Sequence, residues 1–366
     1  MIRPLQPGDL YLIQRLKQQA TRFFTVQTLL HAYSPPRVAL AGVIPWGTAK
    51  VATYVLRQDG HSLVHDGFLQ VQRRQDSAEA DVLCLAPGLE APDGHPAIWT
   101  KLLAHCLHDG IQQGLERIYA DVSDQPLPVT TFAGVGFQPY SRQTIWRLFS
   151  LQRPDPSAAG LTLRGMNQAD SWALAELYTR ITPDGIQQAE GWRVGGEELL
   201  PWLRSWAASH GATYVLLEQG SICGLLQLAA GSHGTWLQWW TDTLRPDGAY
   251  VRALLEHGLR LVAEQHCPLP VYSTVAEHEG GSSAFLADAG FAPFSDRVKL
   301  VKPVVKWIRK AVTTPVPVIE TASEVVPTAF VAPEGATSNP RTEFLRARKQ
   351  RCLVPPPAIG SGTCGR

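Results

Sequence analysis

The sequence repeats itself. Pro92-Asp93-Gly94 returns as Pro246-Asp247-Gly248, and Gly136-Phe137 returns as Gly290-Phe291, both 154 residues later. The opening Ile2-Arg3-Pro4-Leu5…Asp9 matches Leu163-Arg164-Gly165-Met166…Asp170 at an offset of 161, and Ile13 and Leu16 then fall on Leu174 and Leu177. Short tripeptides recur by chance. These anchors, however, also hold matching places in the order of strands and helices, so one folding unit used twice accounts for them together.

Hydrophobic periodicity fills in that unit. In the first copy a short strand, Met1–Leu5, precedes a helix with Asp9 as N-cap and Leu10, Ile13 and Leu16 on one face. A second helical stretch, Thr25–Tyr33, stops before Pro35-Pro36. Strands are expected at Ala49–Leu56, Ser62–Gln72 and Ala80–Leu85, with Asp59-Gly60 as a hairpin signal. The first Pro-Asp-Gly then leads into a helix, His95–Gln113, followed by strand Arg117–Val122, helix Val129–Ala133 and strand Gln143–Leu151. The second copy runs from strand Leu161–Arg164 through helices Ser171–Thr182 and Gly196–Ser209 to strands Thr213–Glu218, Ile222–Ala230 and Thr235–Thr243. It closes with helix Asp247–Gln265, strand Pro270–Ala276, helix Ser282–Ala289 and strand Arg297–Val305. The fold class is therefore α/β (α+β), two mixed-sheet units at 1–151 and 161–310 joined by a polar linker at 152–160. Residues 311–366 lack any period and are expected to be a disordered tail. Its basic segment 341–351 (RTEFLRARKQR) reads either as solvated chain or as a docking element for a partner.

Bulk properties narrow the function classes. A net charge of +1 argues against a whole-protein field aimed at nucleic acid or anionic membrane. Cysteines 84, 106, 223, 267, 352 and 364 are few, and four lie singly in apolar elements, which favours a reducing compartment over a disulfide framework. The N-terminus lacks a signal-type apolar stretch and no run of 18 apolar residues occurs, so the expected location is cytoplasmic, with no membrane span. His105 and His108 find no third ligand, so no metal is expected. No nucleophile elbow or Ser-His-Asp arrangement appears either.

The chemistry is expected at Leu244–Leu255 (LRPDGAYVRALL), where an apolar strand passes through a tight turn into a helix. Such a junction points backbone N–H groups at a helix N-terminus, and the macrodipole there favours a phosphate. The element order, this Gly-containing turn and the Gly-Phe after the last short helix resemble the GNAT superfamily of acyl-CoA N-acyltransferases, in tandem. In that family the turn carries Arg/Gln-x-x-Gly-x-Gly/Ala, whose amides hold the pyrophosphate of acetyl-CoA. Arg245-Pro246-Asp247-Gly248-Ala249-Tyr250 keeps the Arg and the first Gly, with Tyr250 where Gly or Ala belongs. Ala91-Pro92-Asp93-Gly94-His95-Pro96 keeps only the Gly, and Pro96 removes a donor. The resemblance thus implies an acyl-CoA site in the second copy, on Arg245, Asp247, Gly248, Ala249 and Tyr250, and a degenerate first copy. Asp93 and Asp247 are expected as helix N-caps. The family's Asn, Ala and Tyr before Gly-Phe are replaced by Glu279, Ser282 and Leu286 in one copy and by Gln125, Pro128 and Phe132 in the other. Neither copy keeps the tyrosine that protonates the departing thiolate.

Acyl transfer to an amine also needs a base. Asp242 and Glu277, at the ends of the fourth and fifth strands of the second copy, are the candidates, with His278 and Glu279 as alternates; each is equally explained as a solvated strand-end group. Trp236-Leu237-Gln238-Trp239-Trp240 places 236 and 240 on one face and 239 on the other. These indoles read as core or as an aromatic acceptor pocket. The resulting expectation is an N-acyltransferase moving an acetyl or other acyl group to an amine acceptor left unspecified. The alternative is a catalytically inactive binding module on the same scaffold.

Overall fold

A computed structural model describes residues 1–23, 25–43, 51–57, 66–74, 77–151, 160–192, 200–204, 210–242 and 248–304. Arg245, Asp247, most of the expected linker and helix 196–209, the tail and its segment 341–351 lie outside the described residues. Met1–Ile308 forms one compact unit.

The first copy comprises β1 (Ile2–Pro4), α1 (Leu10–Leu16), β2 (Thr21–Arg22), α2 (Thr25–Leu30), α3 (Pro35–Val43), β3 (Val51–Leu56), β4 (Gly67–Arg73), β5 (Glu79–Ala86), α4 (Pro96–Gln112), β6 (Arg117–Ser123), α5 (Pro126–Ala133) and β7 (Gln138–Leu148). The second comprises β8 (Leu161–Gly165), α6 (Ser171–Ile181), α7 (Asp184–Ala189), β9 (Ala212–Glu218), β10 (Ser221–Ala230), β11 (Thr235–Thr241), α8 (Ala249–Glu264), β12 (Val271–Ala276), α9 (Ser282–Asp288) and β13 (Ala292–Pro303). Helix α3 starts on the very Pro35-Pro36 expected to stop the preceding one. Proline is tolerated in a first turn because the N–H it lacks has no intrahelical partner there.

The repeat is visible in the contacts. Arg3 donates to Asp9 at 2.5 and 3.0 Å, and Arg164 donates to Asp170 at 2.7 and 2.7 Å. The same carboxylates accept the backbone N–H of Gln6 and Asn167. Asp9 holds the N-cap position of α1, as expected, but its side chain makes no cap hydrogen bond to that helix: it ends a 3-10 turn in helical conformation, and its oxygens serve the turn's start and an arginine. Gly136 and Gly290 both sit at positive φ (89 and 87), and the following Phe137 and Phe291 donate back to Phe132 and Leu286 at 3.2 and 3.0 Å. This is one helix-ending motif built twice, with glycine where a left-handed residue is required.

The two sheets merge into one. Strand order is β1-β3-β4-β5-β6-β13-β7-β12-β11-β10-β9-β8. The last strands have changed places: β13 pairs antiparallel with β6 of the first copy, and β7 pairs antiparallel with β12 of the second. Both also pair with each other. Pairing on both edges explains why β7 and β13 start well before the expected Gln143 and Arg297. The exchange extends to the helices. Leu30 of α2 packs with Ala229, Trp236 and Tyr272 of the second copy, and its carbonyl accepts His233 N–H at 3.0 Å. Reciprocally, the Ala189 carbonyl at the end of α7 accepts the Tyr119 hydroxyl at 3.2 Å.

One face of the sheet is covered by α4 and α5 over the first copy and by α8 and α9 over the second. Helix α8 buries Val251, Leu254, Leu255, Leu259 and Val262 at helical spacing. Gly258 lets it close on β11, since a Cβ there would lie 2.6 Å from Leu237 Cδ1. The other face carries α1 and α3 over the first copy and α6 over the second.

Candidate active site

Each copy contains a fork where two parallel strands part. In the first, β5 pairs with β6 only through Glu79–Asp81 against Arg117–Tyr119. In the second, β11 pairs with β12 only at Thr235 and Trp236 against Val271 and Tyr272. Beyond these points each fork leaves backbone groups that need other partners.

The first fork is closed by its own chain. β2 pairs with β5 at Leu85 and Cys84, and Phe23 N–H continues the ladder to the Leu83 carbonyl at 2.9 Å. Phe23, Trp99 and Phe132 pack edge to face with ring centroids 5.3, 5.4 and 6.0 Å apart, all at most 1% exposed. The corner at α4 is closed as well. His95, not Asp93, is the N-cap, and its Nδ1 accepts Ala97 N–H at 3.1 Å; Pro96 follows without a donor. Asp93 is excluded from that role because the loop turns once more after it, with Gly94 N–H bonded to the Ala91 carbonyl at 2.8 Å.

The second fork is treated differently. Among the described residues no strand pairs with β11 on the fork side beyond Trp236. One side chain crosses the gap. Gln238 receives Thr274 N–H at 3.1 Å and the Thr274 hydroxyl at 2.5 Å, and donates to the Thr274 carbonyl at 3.1 Å. At the corner, α8 has Gly248 as N-cap at positive φ (58), so the residue in the cap position has no side chain to occupy the first turn. Tyr250 does not block this corner: it is buried toward β9, its hydroxyl donating to Glu218 Oε2 at 2.5 Å. Phe285 of α9 is the neighbour instead. A Cβ on Gly248 would lie 2.0 Å from its ring, so glycine is required here by packing and by φ, with no phosphate invoked. Arg252, exposed in the first turn of α8, lies 5.7 Å from the same ring and brings positive charge to the corner.

On the α6 side of the sheet lies a cavity of about 1220 Å³, walled by both copies. Around the second fork its wall includes Trp236, Gln238 and Trp240 from β11, with Trp202 stacked on Trp240 at 5.0 Å. Across the fork are Thr274 and Ala276 of β12, then Gln143 of β7 and Lys299 of β13. Further toward the first copy is a buried charge cluster. Glu79, 3% exposed, meets Arg74 at 3.1 Å, Arg204 at 3.2 Å and Arg117 at 3.6 Å.

The expected bases separate. Asp242 lies beside Arg180 of α6 at 3.9 Å and is not on the cavity wall, nor is the exposed Glu277. Their alternates, His278 and Glu279, do line it. Glu279 is half-buried, and its Oε2 accepts Ala276 N–H at 2.7 Å. Burial pushes its carboxyl up to about 7, against the opposing pull of that N–H and of Lys299. Burial and Lys299 push the His278 imidazole down. Of the expected acyl-CoA residues, Gly248, Ala249 and Tyr250 open α8. Gln143, Lys299, Arg252 and Phe285 were missed by sequence reasoning. Arg252 alone carried a signal, as a cation one turn into the helix.

No family model matches the sequence, and no curated protein matches it. Solved structures do. A GCN5-related N-acetyltransferase from Sphaerobacter thermophilus is 15% identical with a TM-score of 0.50, spanning 84% of this chain and 96% of its own. A tandem GNAT protein from the clavulanic acid biosynthesis pathway is 17% identical with a TM-score of 0.49, spanning 84% of this chain and 99% of its own. The chain has a tandem GNAT fold. In GNAT terms the forks are the places where the fourth and fifth strands of each copy separate. Among the described residues of this tandem GNAT chain, no helix is long and apolar enough to cross a membrane, and no cluster of His, Cys, Asp or Glu could hold a metal ion.

Proposed function

We propose that the chain is an N-acyltransferase that binds acyl-CoA, acetyl-CoA in the first instance, in the fork between β11 and β12. The observation that carries this reading is that β11 leaves β12 after two residues and, among the described residues, no strand takes its place. Backbone N–H and C=O groups on a free strand edge suit an amide-bearing arm. The GNAT fold of the chain supports the reading, as does the corner formed by the start of α8 and Arg252, where a helix N-terminus and a cation favour a diphosphate. Which side chains there meet the phosphates includes Arg245 and Asp247 by resemblance alone.

The acceptor amine enters from the cavity. It arrives as an ammonium and must lose a proton before its lone pair can attack. Glu279, poised near neutrality, takes that proton. The amine nitrogen then bonds to the thioester carbonyl carbon, gives up its second proton to solvent as the tetrahedral adduct collapses, the C–S bond breaks, and CoA leaves as thiolate. Leu286 stands where the family's tyrosine would protonate it, so solvent supplies that proton. The carbonyl oxygen is stabilised by a backbone N–H of the β11 edge.

A second reading, ligand binding without transfer, draws on Phe285 covering Gly248 and on the missing tyrosine. Two measurements divide the readings. Acetyl-CoA added to the full chain raises the melting temperature under both, and absence of any shift removes the acyl-CoA site. Release of free CoA thiol with amine acceptors, lost in Glu279→Gln while the acetyl-CoA shift persists, is expected only for the transferase.

A further inference from the structure

The second fork has two banks, and they differ in chemistry. On the β11 bank, alternation places Trp236, Gln238 and Trp240 on the cavity face, with Trp202 stacked on Trp240 at 5.0 Å and Tyr178 edge to face with Trp202 at 4.9 Å. This bank is aromatic. On the other bank the cavity face runs from Ala276 to Gln143, its cross-strand partner on β7, and on to Ser141 and its partner Lys299 on β13. That bank is polar, and two of its groups lack hydrogen-bond or ion-pair partners among the described residues.

Gln143 is 8% exposed, yet among the described residues its carboxamide makes no hydrogen bond, although it borders the cavity. Facing the cavity, its amide is left to a water or a ligand there. Lys299 is half-buried and, among the described residues, forms no ion pair; Asp121, its cross-strand neighbour, is already engaged by Arg297 at 3.0 Å and by Thr25 at 2.5 Å. Glu279 stands at the end of β12, fixed by its bond to Ala276 N–H, the residue directly across from Gln143. A carboxylate, a neutral amide and an ammonium thus follow one another across neighbouring strands, which are spaced about 4.8 Å apart.

Resting on the transferase reading of the open fork, we infer that the acceptor is an α-amino acid with a bulky apolar or aromatic side chain. Its amine meets Glu279 at the mouth of the fork. Its carboxylate is taken by Lys299 and Gln143, and its side chain lies against Trp236 and Trp240. The charge pattern argues for the carboxylate. A simple alkylamine enters as a cation, would be repelled by Lys299, and would leave Gln143 unmet. An acid without an amine would face Glu279. A group carrying an ammonium and a carboxylate on one carbon complements both.

The test uses melting shifts of the full chain with tryptophan, phenylalanine and leucine, each against its decarboxylated amine: tryptamine, phenethylamine and isoamylamine. At least one amino acid is expected to bind about tenfold or more tighter than its amine, the scale of one charge-assisted hydrogen bond. Lys299→Met should erase that preference, Lys299→Arg should keep most of it, and Gln143→Leu should weaken it. The melting temperature of each unliganded variant reports whether it still folds, and the arginine variant keeps the charge readable if the methionine variant does not. Amines binding as tightly as amino acids, a preference that survives Lys299→Met, or no shift with any of the three amino acids overturns the inference. An acetyl-CoA shift without an amino-acid shift sinks this inference alone. The converse pattern keeps the pocket and sinks the transferase reading.

Discussion

The two forks start from the same topology and end in opposite states. In the first copy the chain spends its own residues on closing the gap: β2 hydrogen-bonds to the free edge of β5, and Phe23, Trp99 and Phe132 fill the space behind it. In the second copy the equivalent segment reaches Thr182-Pro183, where proline offers no N–H and the Thr182 carbonyl is taken by Gln187. Among the described residues, the gap beside β11 is spanned only by its own Gln238 side chain, which bonds to Thr274 of β12. A duplicated unit can turn one copy into core and keep the other as a site by changing which short segment reaches the fork.

If that is right, the closed fork should behave as core and the open one should not. Trp99→Ala should cost about 3–5 kcal/mol in denaturant unfolding, as for other buried tryptophans. Thr274→Ala, in the open fork, should cost at most about 1.5 kcal/mol, the scale of a net hydrogen bond. Equal costs would end the distinction. Acetyl-CoA at a hundredfold excess over its Kd should stabilise the chain by about 2.7 kcal/mol, and titration calorimetry should count one site per chain. Two sites would mean that the first fork opens.

Smaller effects sharpen the comparison of the copies. Among the described residues, Asp170 has Arg164 as its one arginine, whereas Asp9 has both Arg3 and Arg57, the latter at 2.9 Å. Arg164→Ala should therefore lower the urea midpoint slightly, and Arg3→Ala by less, in paired urea melts. The smallest effect is a pH dependence. Glu279 binds its proton more tightly folded, at about 7, than its ordinary 4.5. Between those values the folded state holds more protons than the unfolded one, so this residue makes stability fall as pH rises across that window. Transfer, which needs the carboxylate, should rise through about pH 7. Glu279→Gln should flatten the stability slope and remove the transfer; an unchanged slope would mean that Glu279 titrates like a surface acid.

What could be read from the sequence was what is local. The repeat anchors recur as matching contacts, at Arg3–Asp9 and Arg164–Asp170 and at the two Gly-Phe turns, and the helical faces of α4 and α8 follow their periodicity. The exchange of β7 and β13 was not legible, because strand partners are chosen by non-local edges that leave no mark in either strand's own pattern. The polar bank depends on that exchange, since Gln143 comes from one copy and Lys299 from the other. The cap of α4 was misread at Asp93, which precedes a better-placed histidine, whereas Asp9 holds the expected position before α1 but turns its side chain to an arginine. The glycine of the second Pro-Asp-Gly is real as a conformational requirement, but Phe285, 37 residues further along the chain, demands it as well.

Hydrogen exchange with and without acetyl-CoA tests the central claim most directly. In the free chain the amides of Leu83–Leu85 should already be protected by β2 and its continuation, and ligand should leave them unchanged. Amides of Gln238–Thr241 and of the first turn of α8 should slow when acetyl-CoA is added. Slowing at Leu83–Leu85, or no slowing at Gln238–Thr241, would contradict the assignment of the open fork as the acyl-CoA site.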